Sequence, residues 1–339
     1  MTYLDTSIMI LVADSLQDDY KIRLSEFHMA WLPKVNFKVD NSLKIRSYYL
    51  TSDWKVYGDD KYDYVTVLLD ERLPYKSIQQ INPSRIVVDI FGVISNTNWI
   101  AQLSSAKEIK NAYYEQIEDD VFRVIIDLKH EQHWGYSIYY EQTKLIIRVN
   151  RQPAVLSLNK LKVAVDAGHG GENIGTRGVS TRIKEKDYTL KFAKELEKAL
   201  LKEKAEVFMT RHKDTTLSMV ERTNMLKEQS PDLLISIHFN SSGIDSVKGV
   251  STYYRYIGFR PLTQSILKRM LELRLSEYGN IGNFNFSLSG PTEYPNCLVE
   301  VAFLSNKSDE KRIRDPNFQR LVAIKIVAGI KDWLARMQV

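Results

Sequence analysis

Apolar residues in this chain keep one period up to about residue 150 and two periods beyond it, and that change limits what the chain can fold into. From about residue 45 to 150 they fall in short β-branched runs between polar turns, as in Val65-Thr66-Val67-Leu68-Leu69 and Lys144-Leu145-Ile146-Ile147-Arg148-Val149. Runs of this kind pair antiparallel and bury one face, so the stretch reads as an all-β, sandwich-like domain. Gln152-Pro153-Ala154 ends the last run. Beyond it, short apolar strands at 162–166, 206–209, 233–237, 250–254 and 298–301 alternate with helical stretches. The helix expected at 187–204 puts Leu190, Ala193, Leu196 and Leu200 on one face and lysines on the other, and a last helix is expected at about 318–334. Such alternation predicts an α/β domain, a twisted and mostly parallel sheet flanked by helices.

The β region carries a weak internal repeat. Val65 to Asp70, Tyr75 to Ile78 and Arg85 to Ile90 align with Arg123 to Leu128, Tyr136 to Ile138 and Lys144 to Val149. Ahead of it, Tyr20-Lys21-Ile22-Arg23-Leu24-Ser25 alternates like a strand and Ala30-Trp31-Leu32-Pro33 ends on a proline. Three domains are therefore expected: a partial β module at 1–40, the sandwich at 41–152 and the α/β domain at 157–339. His28, His130 and His133 lie in or near the β part without convergent partners and read as surface or packing residues.

At 339 residues, 26% of them charged, the chain has room for two or more cores and no composition for long disorder. No apolar run approaches the roughly 18 residues of a membrane span, so no membrane insertion is expected. Cys297 is the single cysteine, which excludes an intrachain disulfide. Met1-Thr2-Tyr3-Leu4-Asp5 shows neither a basic n-region nor an apolar h-region, so no signal peptide is visible. The net charge of +5 is uneven: 29 Lys and Arg face 21 Asp and Glu after residue 156, against 18 and 21 before it. A basic half attracts polyanions, or is simply a solvated surface.

The first strand of the second half runs into Asp166-Ala167-Gly168-His169-Gly170-Gly171, a turn that presents a histidine. A phosphate-binding loop is the rival reading, but neither G-x-x-x-x-G-K-[ST] nor G-x-G-x-x-G is present. His238 and Asn240 close the strand at 233–237, Glu185 precedes the amphipathic helix, and Glu300 closes the strand at 298–301. Ligands in open α/β sheets bind beyond the carboxyl ends of strands, where these residues converge. Two imidazoles and a carboxylate form the ligand set of many catalytic zinc sites, and a further carboxylate can take a proton from the attacking water. Cys297 offers a thiol three residues before Glu300, but free cysteines are usually small buried hydrophobes.

Asp166-Ala167-Gly168-His169-Gly170-Gly171, Glu185-Lys186-Asp187, Ser236-Ile237-His238-Phe239-Asn240 and Val299-Glu300-Val301-Ala302-Phe303-Leu304-Ser305-Asn306 together resemble the zinc-dependent N-acetylmuramoyl-L-alanine amidases over about residues 160–336. The sandwich resembles the AMIN domain, which targets some amidases and envelope proteins to the wall. The partial module resembles the last strands of Src-homology-three-like wall modules. The amidase resemblance implies one zinc ion held by His169, Glu185 and His238, with Glu300 as general base. It further implies peptidoglycan as substrate, cleaved between N-acetylmuramic acid and the L-alanine of the stem peptide, with Asn240 and Gly171 as substrate contacts. An exported location in the bacterial cell envelope follows from it; no nucleic-acid partner is expected, and the oligomeric state is not legible. Asn173, Phe239 and Ala302 depart from the family's usual residues. Thr210, Arg211, Asp214 and Arg222 also fit its pattern and read as loop-fixing residues, with His212 exposed beside them. A zinc endopeptidase acting on the stem peptide and a silent wall-binding regulator are the alternatives. From 238 to 300 the chain is taken up by a strand, a helix at about 261–277 and a loop at 278–295 rich in Gly, Asn and Ser, leaving little for a segment that would plug the metal site.

Overall fold

The computed structural model describes residues 7–40, 42 and 46–338. The chain divides into two compact units: Met1–Glu131 with Gly135–Gln152, and Gln132–Trp134 with Pro153–Val339.

The first unit is all β. Strands β1 (Leu11–Leu16), β2 (Asp19–Arg23) and β3 (Met29–Pro33) make an antiparallel meander. The sandwich follows with β4 (Tyr49–Gly58), β5 (Tyr62–Leu69), β6 (Tyr75–Ile81), β7 (Ser84–Phe91), β8 (Val93–Ile94), β9 (Ile100–Gln102), β10 (Ile109–Glu118), β11 (Val121–Leu128), β12 (Tyr136–Glu141) and β13 (Lys144–Asn150). Among the described residues these pair in two sheets, ordered β10-β11-β7-β6 and β12-β13-β5-β4-β8, with β9 also along β4. Alternation does what it should: Val65, Val67 and Leu69 of β5 enter the core with Val124, Ile126 and Leu128 of β11.

The two halves of the repeat are interleaved. Each sheet takes one hairpin from each half: β10-β11 joins β6-β7, and β12-β13 joins β4-β5. The inward residues show that Val65 corresponds to Val124, one position beyond the sequence alignment. With that shift, the antiparallel registers of β5 on β13 and of β11 on β7 superpose: Tyr64 opposite Arg148 stands where Arg123 is opposite Asp89.

The second unit is a mixed α/β layer structure. Its elements are β14 (Lys162–Ala167), α1 (Glu185–Lys202), β15 (Glu206–Met209), α2 (Met219–Gln229), β16 (Leu233–Asn240), β17 (Val250–Tyr253), α3 (Arg260–Leu271), β18 (Glu277–Ile281), β19 (Asn296–Phe303), α4 (Lys307–Ile313) and α5 (Pro316–Arg336). The sheet order is β15-β14-β16-β19-β17-β18, parallel throughout except where β17 runs against β19. Buried on both faces, β14 and β19 are nearly continuous apolar runs, as central strands of covered sheets are. Helix α1 lays Phe192, Ala193, Leu196 and Leu200 on the sheet, each larger side chain worth about 2 kcal/mol of burial. Helix α5 starts on Pro316 with Asp315 as its cap and buries Trp333 completely, 5.0 Å from the Trp134 ring. Strand β18 occupies the start of the stretch expected to be a loop, and α3 ends at Leu271.

Candidate metal centre

The site lies where β14, β16 and β19 end. Leaving β14, the chain turns out through Gly168 and His169, and His169 takes a left-handed φ of 61°. A residue with a side chain holds that conformation only when its surroundings impose it. Two buried arginines do so here. Arg222 donates through Nη1 to the Ala167 carbonyl at 3.0 Å and through Nη2 to the His169 carbonyl. Arg211 donates through Nε to the Ala167 carbonyl and through Nη2 to the Gly168 carbonyl, both at 2.9 Å. The charge of Arg222 is met by Asp166 at 2.5 Å, which also accepts from Thr210 at 2.8 Å and Ser236 at 2.7 Å. Burial is the largest single influence on the Asp166 carboxyl and raises it, but the Arg222 guanidinium, the His238 ring and the Ser236 and Thr210 hydroxyls together outweigh it and hold the group below the usual carboxylate range.

Glu185 is the first residue of α1, so its carboxylate sits at the positive end of that helix. Its Oε2 accepts from the Thr176 N–H at 2.8 Å and its Oε1 from the Phe239 N–H at 3.0 Å. The same Oε1 lies 3.0 Å from His169 Nε2 and 3.3 Å from His238 Nδ1. Burial pushes Glu185 upward, yet the two imidazoles hold it down to about 2. His238 lies two residues before the end of β16 in register with Glu300 on β19, which places the two side chains next to each other. The His238 ring lies against Gly168: a Cβ there would come within 2.3 Å of its Cε1, so any larger residue would displace the ring.

His169 Nδ1 is 2.9 Å from the Asn173 side-chain oxygen, which also accepts from the Gly175 N–H at 3.2 Å. That second bond fixes which end of the carboxamide is oxygen, so Nδ1 must carry the hydrogen. In the neutral ring Nε2 then points a bare lone pair at the Glu185 carboxylate, which is repulsive unless a proton or a cation stands between them. One ligand atom from each of His169, Glu185 and His238 lies within 4.8 Å of the others, a set able to hold a metal ion. Two nitrogens and one oxygen suit zinc and leave room for a fourth ligand.

Beside this cluster, Glu300 keeps 8% of its surface exposed and its Oε2 is buried with no hydrogen-bond partner among the described residues. Burial pushes its carboxyl up to about 7. Such a group can exchange a proton near neutrality.

The remaining sequence candidates separate by geometry. Gly171 donates its N–H to Asp214 at 2.7 Å and accepts from Lys186 Nζ at 2.7 Å, so both of its backbone groups are engaged within the protein. Asn240 sits at the rim of the site, its Oδ1 accepting from the Ser241 N–H and its Nδ2 donating to the Tyr253 hydroxyl at 3.3 Å. His212 faces solvent beside Glu197. Cys297 is buried, which pushes its thiol far above the usual range and removes it as a nucleophile. Asn173 stands out in the sequence only as a departure from an acidic residue. Thr176 and Gly175 act through backbone N–H groups and leave no side-chain signal.

Known proteins resemble this chain over both of its parts. The N-acetylmuramoyl-L-alanine amidase family profile matches residues 163–332, and the AMIN domain profile matches residues 53–149. A probable cell wall amidase LytH of Staphylococcus epidermidis is 33% identical over 184 residues, 53% of this chain and 62% of the relative. The Staphylococcus aureus protein of the same name is 32% identical over 175 residues, 51% of this chain and 58% of the relative. The matched stretch therefore spans about six tenths of the curated relatives' length. An N-acetylmuramoyl-L-alanine amidase from Clostridium difficile 630 superposes with a TM-score of 0.50 at 30% identity, over 52% of this chain and 98% of that structure. No helix among the described residues is long and apolar enough to cross a membrane. With half of its length matching the profile, the chain belongs to the N-acetylmuramoyl-L-alanine amidase family and carries an AMIN domain ahead of the amidase domain.

Proposed function

We propose that the chain hydrolyses the amide between N-acetylmuramic acid and the stem-peptide L-alanine of peptidoglycan, in the bacterial cell envelope, with His169, Glu185 and His238 as ligands of one zinc ion. The observation that carries this reading is the bare Nε2 of His169 converging with His238 and Glu185 beside the unpartnered oxygen of Glu300. Zinc bound there supplies a Lewis acid for the amide carbonyl and for water.

The protein's own groups do the rest. Asn173 holds His169 in the tautomer that leaves Nε2 free, and the Phe239 and Thr176 N–H groups hold Glu185. Arg211 and Arg222 fix the backbone that carries His169. Glu300 Oε2 accepts the proton of the water that attacks the amide carbon. The protonated carboxyl then returns it to the alanine nitrogen as the C–N bond breaks, leaving a muramoyl lactate and a free amine. A carboxyl set near 7 suits both transfers.

The test is mass spectrometry of purified sacculi digested by the zinc-loaded chain. New N-terminal L-alanine on released peptides is the expected result. Cleavage inside the stem peptide, with the lactyl amide intact, overturns the reading.

A further inference from the structure

Beside Glu300 one hydroxyl is held from two sides and keeps its own hydrogen. Strand β17 runs against β19, and Ser251 stands directly opposite Glu300. Side chains paired in this way share a face of the sheet, with about 5 Å between their Cβ atoms. Tyr253 lies two positions along β17 and shares that face. The intervening Thr252 points the other way, its hydroxyl donating to the Thr263 carbonyl of α3 at 3.2 Å.

The Tyr253 hydroxyl oxygen accepts from Ser251 Oγ and from Asn240 Nδ2, both at 3.3 Å. Asn240 belongs to β16, on the far side of β19, so the phenol reaches across the strand that carries Glu300. Which end of the Asn240 carboxamide donates is settled, because its Oδ1 accepts from the Ser241 N–H at 2.8 Å. Two donors therefore fill both lone pairs of the phenol oxygen, and only its O–H remains to be used. Among the described residues no acceptor takes that hydrogen. Burial pushes the phenol above its usual pKa, the Glu300 carboxylate adds to this, and the bonds from Ser251 and Asn240 only partly oppose it, so the group remains a donor at neutral pH. Phe284 at 4.9 Å and Phe286 at 5.6 Å pack edge-on against the ring, and Phe286 lies nearly parallel to the His238 ring at 6.5 Å. This aromatic wall fixes the phenol and leaves the residue 5% exposed. A hydroxyl that served only to tie β16 to β17 would spend its hydrogen inside the protein.

We propose that Tyr253 is a further catalytic residue: its O–H donates a hydrogen bond to the carbonyl oxygen of the amide under attack, and that bond strengthens as the oxygen gains negative charge. The location follows from Glu300. Because Glu300 takes its proton from the attacking water, the attacked carbon lies one water molecule away from its carboxylate. The oxygen on that carbon then comes within reach of a hydroxyl lying across the same strand. A donor oriented before the reaction needs no rearrangement when the charge forms. Tyr253 gives up no proton in this step; the proton taken from water and returned to the amine nitrogen stays with Glu300. The inference rests on the hydrolase reading above for the bond attacked and for the role of Glu300.

The experiment uses the full, zinc-loaded chain with a soluble muropeptide and with its phosphinate analogue, in which a tetrahedral, negatively charged phosphorus replaces the amide carbon. Tyr253→Phe removes one oxygen atom and keeps the ring. It is expected to lower kcat about 10-fold to 100-fold with KM within 3-fold of the parent, and to weaken phosphinate binding by a similar factor at unchanged zinc content. Binding of intact muropeptide to a Glu300→Gln chain should change less than 3-fold when Tyr253→Phe is added. Tyr278→Phe, on an exposed ring packed against Phe303, is expected to leave all of these values within 2-fold. If Tyr253→Phe does not fold, Ser251→Ala with Asn240→Ala, which keeps the hydroxyl and removes its two donors, is expected to lower kcat at least 3-fold with the same split. A rise in KM alone, equal losses of muropeptide and phosphinate affinity, or a kcat and phosphinate affinity that both stay within 2-fold of the parent would overturn the proposal. A parent that binds the phosphinate through Tyr253 yet leaves the lactyl amide intact supports the hydrogen bond and refutes the amidase reading. A parent that neither cleaves the muropeptide nor binds the phosphinate refutes both.

Discussion

Glu300 and Asn173 show how much a single side chain decides here. Glu300→Gln keeps the shape and removes the proton acceptor, so hydrolysis of a soluble muropeptide should fall by about 100-fold or more with bound zinc unchanged. Metal content measured beside turnover checks both halves of that expectation; normal turnover would remove Glu300 from the role. His238→Ala takes away one of three ligands and should abolish zinc retention through gel filtration. Asn173 acts on the metal only through His169. Asn173→Ala should weaken zinc binding about 10-fold to 100-fold, and Asn173→Asp, a stronger acceptor for the Nδ1 hydrogen, should tighten it. Competition with a chromogenic chelator reads this without any activity assay, and an unchanged affinity in both variants would show that Asn173 does not orient the ring. The convergence of His169, Glu185 and His238 was legible in the sequence because two strand ends and one helix start bring them to the same rim of the sheet, although each taken singly reads as structural. The groups that orient them were not, since most of them are backbone N–H groups brought together by the fold.

Among elements, the Asp166 and Arg222 pair joins β14 to α2 and carries the loop of His169. Asp166→Asn leaves a buried guanidinium without its counter-charge and should cost about 3–5 kcal/mol in urea unfolding. The pair also sets an acid limit. The folded Asp166 pKa lies below its unfolded value of about 3.9, so its contribution is complete above that value and disappears as pH falls through the folded one. The parent should therefore lose melting temperature more steeply below about pH 4 than an Asp166→Asn, Arg222→Met variant. Parallel slopes would show that the pair does not govern acid stability. The element order was readable from the change in period near residue 153, and α1 and α5 from their apolar spacing. Strand β18 was hidden because Tyr278-Gly279-Asn280 has turn composition; tertiary pairing with β17 makes it a strand. The strand at β17 was expected, but its antiparallel direction could not be read, since strand direction is set by connections and not by composition. The repeat was visible, but Thr66 and Leu68 are apolar enough on the outer face to blur which residues alternate inward.

For the whole molecule, the site's imidazoles keep 22% and 19% of their side-chain surface open. The purified, zinc-loaded chain is accordingly expected to cleave soluble muropeptide without a protein activator. Silence that is relieved by removing residues between Tyr256 and Pro295 would overturn this. Cutting the chain at residue 157 removes Trp134, which belongs to the second unit's core against Trp333. The shortened protein should keep activity, bind sacculi more weakly, and unfold at lower urea, with the lost tryptophan worth about 3–5 kcal/mol. Equal sedimentation and equal urea midpoints for the two lengths would contradict both expectations. The interleaving of the sandwich halves has a consequence for assembly. Residues 49–91 alone would leave β5 and β7 each with an open edge, because their neighbours β13 and β11 come from the other half. A second copy of the same half, turned by a two-fold rotation, would offer matching edges at the same register. The domain is thus built as an intertwined homodimer joined into one polypeptide, and a half-length fragment should be found as a dimer or not folded at all.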